Sequence, residues 1–216
     1  MGDERKRVVE AGYDALAPRF LSWSAAIEGD PRGPFLAELV SRLDEEDRVL
    51  DLGCGGGLPS TKQLAERFEV VGVDISQEQL RRARENVPEA TFAQSDIAEL
   101  DFSEASFDAV TAFYSISHVP REQHADLFER IARWLKPSGY FLASLGARGS
   151  EDWTGEWLGV EMFFSSYDEA TNRLLVQEAG LELVLDDVVT MREREGEATF
   201  LWVLARKPAS GRSPEP

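Results

Sequence analysis

The chain has 216 residues, 43% of them apolar, and 23 Lys and Arg against 40 Asp and Glu leave a formal charge of −17. This length suits one large domain, alone or with a small appendage, and the apolar content is enough for a sizeable core. A surplus of acid argues against nucleic acid as the main partner and disfavours an anionic membrane, because both need a Lys/Arg surface. One Cys leaves no internal disulfide, and two His leave no cluster at metal-ligand spacing. No metal is expected, and a reducing cytoplasm is the simplest compartment. The N-terminal stretch Met1–Arg7 is charged and lacks the apolar core of a signal peptide, and Lys6 stands where a myristoylation motif needs Ser or Thr. No run approaches the roughly eighteen apolar residues of a membrane span.

In chain order, residues 1–45 are helical in character. Val8, Val9, Tyr13, Leu16, Phe20 and Leu21 recur at helical spacing before Pro31 and Pro34 interrupt. From Arg48 the pattern becomes short apolar runs alternating with amphipathic stretches. Strands are expected at Val49–Leu52, Val70–Val73, Thr91–Ala93, Phe107–Phe113 and Tyr140–Leu145. Helices are expected over Ser60–Phe68, from Ser76 with Gln79 at capping-box spacing, and over Arg121–Trp134. Such alternation implies right-handed crossovers and a mostly parallel sheet with helices on both faces. The end differs: Ala170–Ala179 reads as a helix capped by Gly180, and Leu181–Val189 and Thr199–Ala205 as an antiparallel hairpin. The resulting organisation is one domain over 1–207, made of a helical lead-in (1–45), a nucleotide-type core (46–145), an aromatic insert (146–168) and a helix plus hairpin (169–207). Residues 208–216 have the composition of a disordered tail.

The sharpest signal is Asp51-Leu52-Gly53-Cys54-Gly55-Gly56-Gly57, an apolar strand running into glycines and then a helix. Glycines there allow a sharp turn and let a ligand touch the backbone. The expected ligand carries a nucleoside and a charged tail. A dinucleotide fingerprint fails at Leu58 or Ser60, and a phosphate-binding P-loop fails because no Gly precedes Lys62. Asp74, at the end of the second strand, can accept from two ribose hydroxyls, or it can be a helix cap. Asp96, after the third strand, can accept from an exocyclic amine, or it can be an ordinary loop Asp. All three acidic positions fall at carboxyl ends of successive strands, where open α/β sheets bind ligands.

With these residues in place, the sequence resembles the class I S-adenosylmethionine-dependent methyltransferases. The resemblance runs from about Tyr13 to Lys207, through Tyr13–Phe20, the glycine motif, Val73–Ser76, Ser95–Ile97, Phe107–Val110 and Leu135–Leu142. It implies a Rossmann-like α/β fold, a seven-stranded, mostly parallel sheet with helices on both faces and a C-terminal antiparallel hairpin. It also implies S-adenosylmethionine as methyl donor and S-adenosylhomocysteine as product. By the same resemblance Gly53 and Gly55 hold the methionine portion, Asp51 orients its ammonium, Asp74 binds the ribose and Asp96 faces the adenine amine. Ile75 and Ile97 pack on the purine, and Tyr13 and Phe113 belong to the same surface. One departure is Ser138, which stands where Gly is usual and is expected to affect only a turn.

His118, just beyond the fourth strand, is the candidate base, with an ordinary imidazole suited to taking a proton; the other reading is a loop histidine packed under the following helix. His124 is expected at the surface or behind the site. Cys54 reads as a small packing residue and not a nucleophile. Tyr13, Phe20 and Trp23 in the lead-in, with Trp153, Trp157, Met162, Phe163, Phe164 and Tyr167 in the insert, form either a lid over a small, partly apolar acceptor or simple packing. The expected function is methyl transfer to a small molecule at O, N or S. A carbon methyltransferase, a protein or RNA methyltransferase, for which the chain lacks a basic groove, and a non-catalytic cofactor-binding module are the alternatives, and a homodimer is left open.

Overall fold

The computed structural model describes residues 2–209. The tail expected over 208–216 therefore lies, from 210 onward, outside the described residues. A long helix, α1 (Gly2–Ser24), and a shorter one, α2 (Arg32–Val40), precede the sheet. Then come β1 (Arg48–Leu52), α3 (Ser60–Ala65), β2 (Glu69–Asp74), α4 (Gln77–Asn86), β3 (Thr91–Gln94) and β4 (Phe107–Ala112). After β4 follow α5 (His124–Trp134), β5 (Leu135–Gly146), β6 (Ser150–Trp157), β7 (Val160–Ser166), α6 (Glu169–Glu178), β8 (Glu182–Arg192) and β9 (Glu197–Arg206).

Seven strands form one sheet in the order β3-β2-β1-β4-β5-β9-β8. The first five are parallel, and β9 runs antiparallel between β5 and β8. Apolar residues cover both faces. On one, Leu50, Phe107 and Phe141 meet Phe128 and Trp134 of α5 and Val176 of α6; on the other, Val49, Leu142 and Trp202 meet Phe35 and Leu39 of α2 and Leu64 of α3. The strands read as nearly unbroken apolar runs because both faces are covered. Ser76 caps α4 as its spacing predicts, its Oγ accepting from the Gln79 N–H at 3.1 Å. Gly180, at φ +86°, follows α6 in the left-handed region that favours glycine. No helix among the described residues is long and apolar enough to cross a membrane.

Three expectations change. The aromatic insert, which reads as loop-like, is a second, two-stranded sheet of β6 and β7 closed at Leu158 and Gly159, both at positive φ. Those angles suit a two-residue hairpin turn, but Leu-Gly lacks the Asn-Gly or Asp-Gly signature that announces one. His124 is the first residue of α5 and not a surface position within it, because a 3-10 turn at Arg121–Gln123 precedes the helix. Its ring is buried, with Nε2 2.9 Å from the Val119 carbonyl. Finally, β5 starts five residues early, at Leu135, and Ser138 within it takes φ +71°, a left-handed conformation at the position where Gly is usual.

Trp202 of β9 is fully buried and its ring lies 5.3 to 5.7 Å from those of Phe35, Phe113 and Tyr114. Replacing it by Ala is expected to cost about 3–5 kcal/mol, read as a lower denaturation midpoint with unchanged slope.

Candidate active site

The site begins where β1 stops. Gly53, at φ +75°, donates its N–H to the Val73 carbonyl at 2.7 Å, and a Cβ there would stand 2.3 Å from the Ser115 Cβ. Gly55, at φ +54°, donates to Asp74 Oδ2 at 2.8 Å and has open space where a side chain would project. Asp74 also accepts from the Ser76 N–H at 2.9 Å, so one carboxylate ties the glycine turn to the start of α4. Burial raises its pKa to about 6, against the opposing pull of those two N–H groups. Each oxygen still has a lone pair for a ligand hydroxyl.

Asp51 is buried and accepts from the hydroxyls of Thr61 at 2.6 Å and Thr111 at 2.7 Å; burial pushes its pKa upward. Asp96 accepts from the Ala98 N–H at 2.9 Å, and its other oxygen lies 3.8 Å from Lys6 of α1. These three carboxylates line a single cavity of about 410 Å³ together with Gly53, Gly55, Ile75, Ile97 and Phe113. That volume is within the range of small-molecule sites. Four buried polar atoms of its lining, Arg32 Nε, Ser60 Oγ, Gln79 Nε2 and Arg82 Nε, have no hydrogen-bond partner among the described residues. Unpaired buried groups of this kind are costly unless a ligand or water satisfies them. A turn without Cβ at Gly55, carboxylates for hydroxyls and amines, and free donors nearby fit a nucleoside with an amino-acid tail, as S-adenosylmethionine has.

The same cavity continues beneath α1 into an aromatic chamber. Tyr13, Phe20 and Trp23 of α1 meet Trp157 of the β6–β7 hairpin, with centroids 5.3 to 6.5 Å apart, and Phe164 of the same hairpin lies 5.5 Å from Trp157. The rings pack on one another and line the chamber at once. Met191, Glu193, Ala198 and Phe200 of the β8–β9 hairpin close its far side. Polar contacts fasten α1 across the opening: Arg5 to Asp152 and Glu122, Lys6 to Glu99, Arg19 to the Leu158 carbonyl, and Asp14 to the Ser76 hydroxyl.

His118 is in this chamber, but not as an ordinary imidazole. Nδ1 is 2.8 Å from the Phe163 carbonyl, which can only accept, so the proton is on Nδ1. Nε2 then accepts from the Tyr13 hydroxyl at 2.8 Å. Burial lowers the His118 pKa to about 4 and raises that of Tyr13, so both are neutral at pH 7. The expectation of an unperturbed pKa does not hold, because the ring is desolvated and both nitrogens are engaged. Tyr13, expected at the cofactor, joins the chamber to His118. Cys54 is buried, and desolvation drives its thiol pKa well up, in keeping with a packing role. Sequence reasoning passed over Arg32, Asp30, Asp14 and Glu193. Pro31-Arg32-Gly33-Pro34 reads as a helix break, yet Arg32 pairs with Asp30 at 2.9 Å and lies over the Tyr114 ring, 4.9 Å from its centroid.

Only ionised Asp74 accepts from two hydroxyls, so protonating it weakens nucleoside binding. Affinity for S-adenosylhomocysteine is expected to be level above about pH 7 and to fall by up to about tenfold per unit below the Asp74 pKa of about 6. Asp74→Ala should lose most binding at pH 7.5. Calorimetric titration from pH 5 to 8 checks both, and a pH-independent affinity would count against the carboxylate.

Residues 49–139 match the family described as methyltransferase domain. A ubiquinone biosynthesis O-methyltransferase of Alkalilimnicola ehrlichii is 32% identical over 174 residues, which span 75% of this chain and 68% of that protein. A 27-O-demethylrifamycin SV methyltransferase of Amycolatopsis mediterranei is 32% identical over 149 residues, 59% of this chain and 54% of that protein. Among solved structures, the 1,6-didemethyltoxoflavin-N1-methyltransferase of Burkholderia thailandensis, with bound 1,6-didemethyltoxoflavin and S-adenosylhomocysteine, shares the fold at a TM-score of 0.73 and 22% identity. That match covers 96% of this chain and 91% of that one. By its glycine turn, its strand order and these relatives, the chain belongs to the class I S-adenosylmethionine-dependent methyltransferases, enzymes whose cosubstrate is S-adenosylmethionine.

Proposed function

We propose that this enzyme methylates a small molecule at O, N or S within the aromatic chamber. The observation that carries this reading is the continuity of one cavity from Asp74 and Asp96 to Phe20, Trp23, Trp157 and Phe164. The named relatives, which include O-methyltransferases of ubiquinone biosynthesis and a rifamycin methyltransferase, support a small acceptor. At the cofactor end, Asp74 takes the ribose hydroxyls and Asp96 the adenine amine, with Ile75 and Ile97 on the purine. Gly53, Gly55, Asp51 and Phe113 surround the methionine portion, and Arg32, with its unpartnered buried Nε, is placed to meet a carboxylate. S-adenosylmethionine, when bound, supplies an electrophilic methyl group on a sulfonium.

The chain's own contribution is positioning and exclusion of water, which can supply much of the rate of an in-line displacement. α1 and the β6–β7 hairpin wall the chamber and hold the acceptor against the cofactor end. His118 with a pKa near 4 is a weak base. Its part is to hold the Tyr13 hydroxyl by its hydrogen, which leaves the phenol oxygen free to accept from the acceptor. This favours acceptor atoms that are nucleophilic before any proton leaves them.

Incubation with S-adenosylmethionine and a panel of small phenols, amines and thiols should release S-adenosylhomocysteine with at least one acceptor. Silence across the panel would count against this acceptor class. With that acceptor and saturating cosubstrate, kcat should show no limb near the ordinary histidine pKa of about 6.5. A limb there would mean that His118 titrates as a free base.

A further inference from the structure

Resting on the reading above, we propose that the acceptor carries a basic nitrogen, held as an ammonium ion by the Glu193 carboxylate beside the indoles of Trp23 and Trp157. The charges that line the cavity are all balanced except one. Lys6 is 2.7 Å from Glu99, Arg32 is 2.9 Å from Asp30 and Arg82 is 3.4 Å from Glu78. Asp51 has two threonine hydroxyls, Asp74 two backbone N–H groups, and Asp96 a backbone N–H with Lys6 nearby. Glu193, half-buried in the chamber wall, has no side-chain hydrogen bond and no cation within 4 Å among the described residues. The charge that acts on it is that of Glu195, of the same sign.

Its position is held by the backbone. Glu28 and Arg192 exchange two backbone hydrogen bonds, of 3.0 and 2.9 Å, which pin the start of the β8–β9 turn to the segment after α1. The Glu193 N–H donates to the Gly196 carbonyl at 2.8 Å, and the Trp23 indole N–H donates to Glu195 at 3.0 Å. A carboxylate kept half out of water without a counter-ion is costly, and a ligand cation offsets that cost.

The neighbouring rings favour the same ligand. Trp23 and Trp157 stand nearly perpendicular, at 82° with centroids 5.3 Å apart, and Phe20 meets Trp157 at 61°. Aromatic rings attract cations through their electron-rich faces, tryptophan most strongly. An anionic acceptor, by contrast, finds no cation in the lining that lacks an acidic partner. A chain charge of −17 also favours the arrival of cations.

Calorimetric titration of the S-adenosylhomocysteine-loaded enzyme with three probes of similar size, tryptamine, indole-3-acetamide and indole-3-acetate, tests the proposal. Tryptamine should bind at least about tenfold more tightly than either of the others, and Glu193→Gln should reduce that preference to about twofold, without change in S-adenosylhomocysteine affinity. Equal binding of the three probes, no detectable tryptamine binding at millimolar concentration, or a preference that survives in the variant would overturn it. So would a Glu193→Gln effect confined to S-adenosylmethionine, because the carboxylate would then serve the sulfonium. Failure of the underlying cofactor reading has its own signature, no binding of S-adenosylhomocysteine to the unaltered enzyme, and it removes this proposal as well.

Discussion

The carboxylate of Asp74 is the joint on which the site depends. It sits at the end of β2, accepts from Gly55 on one side and from Ser76 on the other, and so couples the glycine turn to the cap of α4. Ser76 in turn donates its hydroxyl to Asp14, which brings α1 to the same point. Three segments distant in the chain converge on one buried acid. The cost of burying that acid shows as its raised pKa, and the N–H groups around it offset part of that cost.

The chamber follows from the placement of α1. This helix buries Val9 and Leu16 against Met162 and Phe163 of the small β6–β7 sheet. The Tyr13 hydroxyl and the His118 ring then meet under cover. The imidazole keeps a bare Nε2 because the Phe163 carbonyl holds the proton on Nδ1. Desolvation keeps the ring neutral. A histidine in the right segment of the chain thus becomes a fixed acceptor and not a titrating base.

Charge is distributed unevenly over the cavity. At the cofactor end every carboxylate has a donor, and Arg32 is shared between Asp30, the rings of Phe113 and Tyr114, and the neighbourhood of Asp51. In the chamber under α1 the walls are aromatic, and Glu193 has no side-chain partner among the described residues. An apolar wall raises the weight of any single charge, because little water screens it. The fold that holds these groups is shared by enzymes of many chemistries.

Local pattern determined the sheet and the cofactor end. Short apolar runs of three to seven residues, a glycine turn after β1 and acids at or just beyond the ends of β1, β2 and β3 are short-range features, and their spacing alone placed Asp51, Asp74 and Asp96 at the carboxyl ends of parallel strands. The hairpin at the end was equally legible, because its two runs are joined by a short charged turn. What the sequence could not carry was long-range. Residues 105 apart make the Tyr13–His118 pair, and Trp23 meets Glu195 across 172 positions. The β6–β7 hairpin escaped notice because its turn lacks the usual residues, and Arg32 because flanking prolines looked like a break. Burial, and with it protonation state, is a property of what covers a group. Only the tertiary structure decided that His118 would be dry and neutral, and that Glu193 would face the chamber without a counter-ion among the described residues.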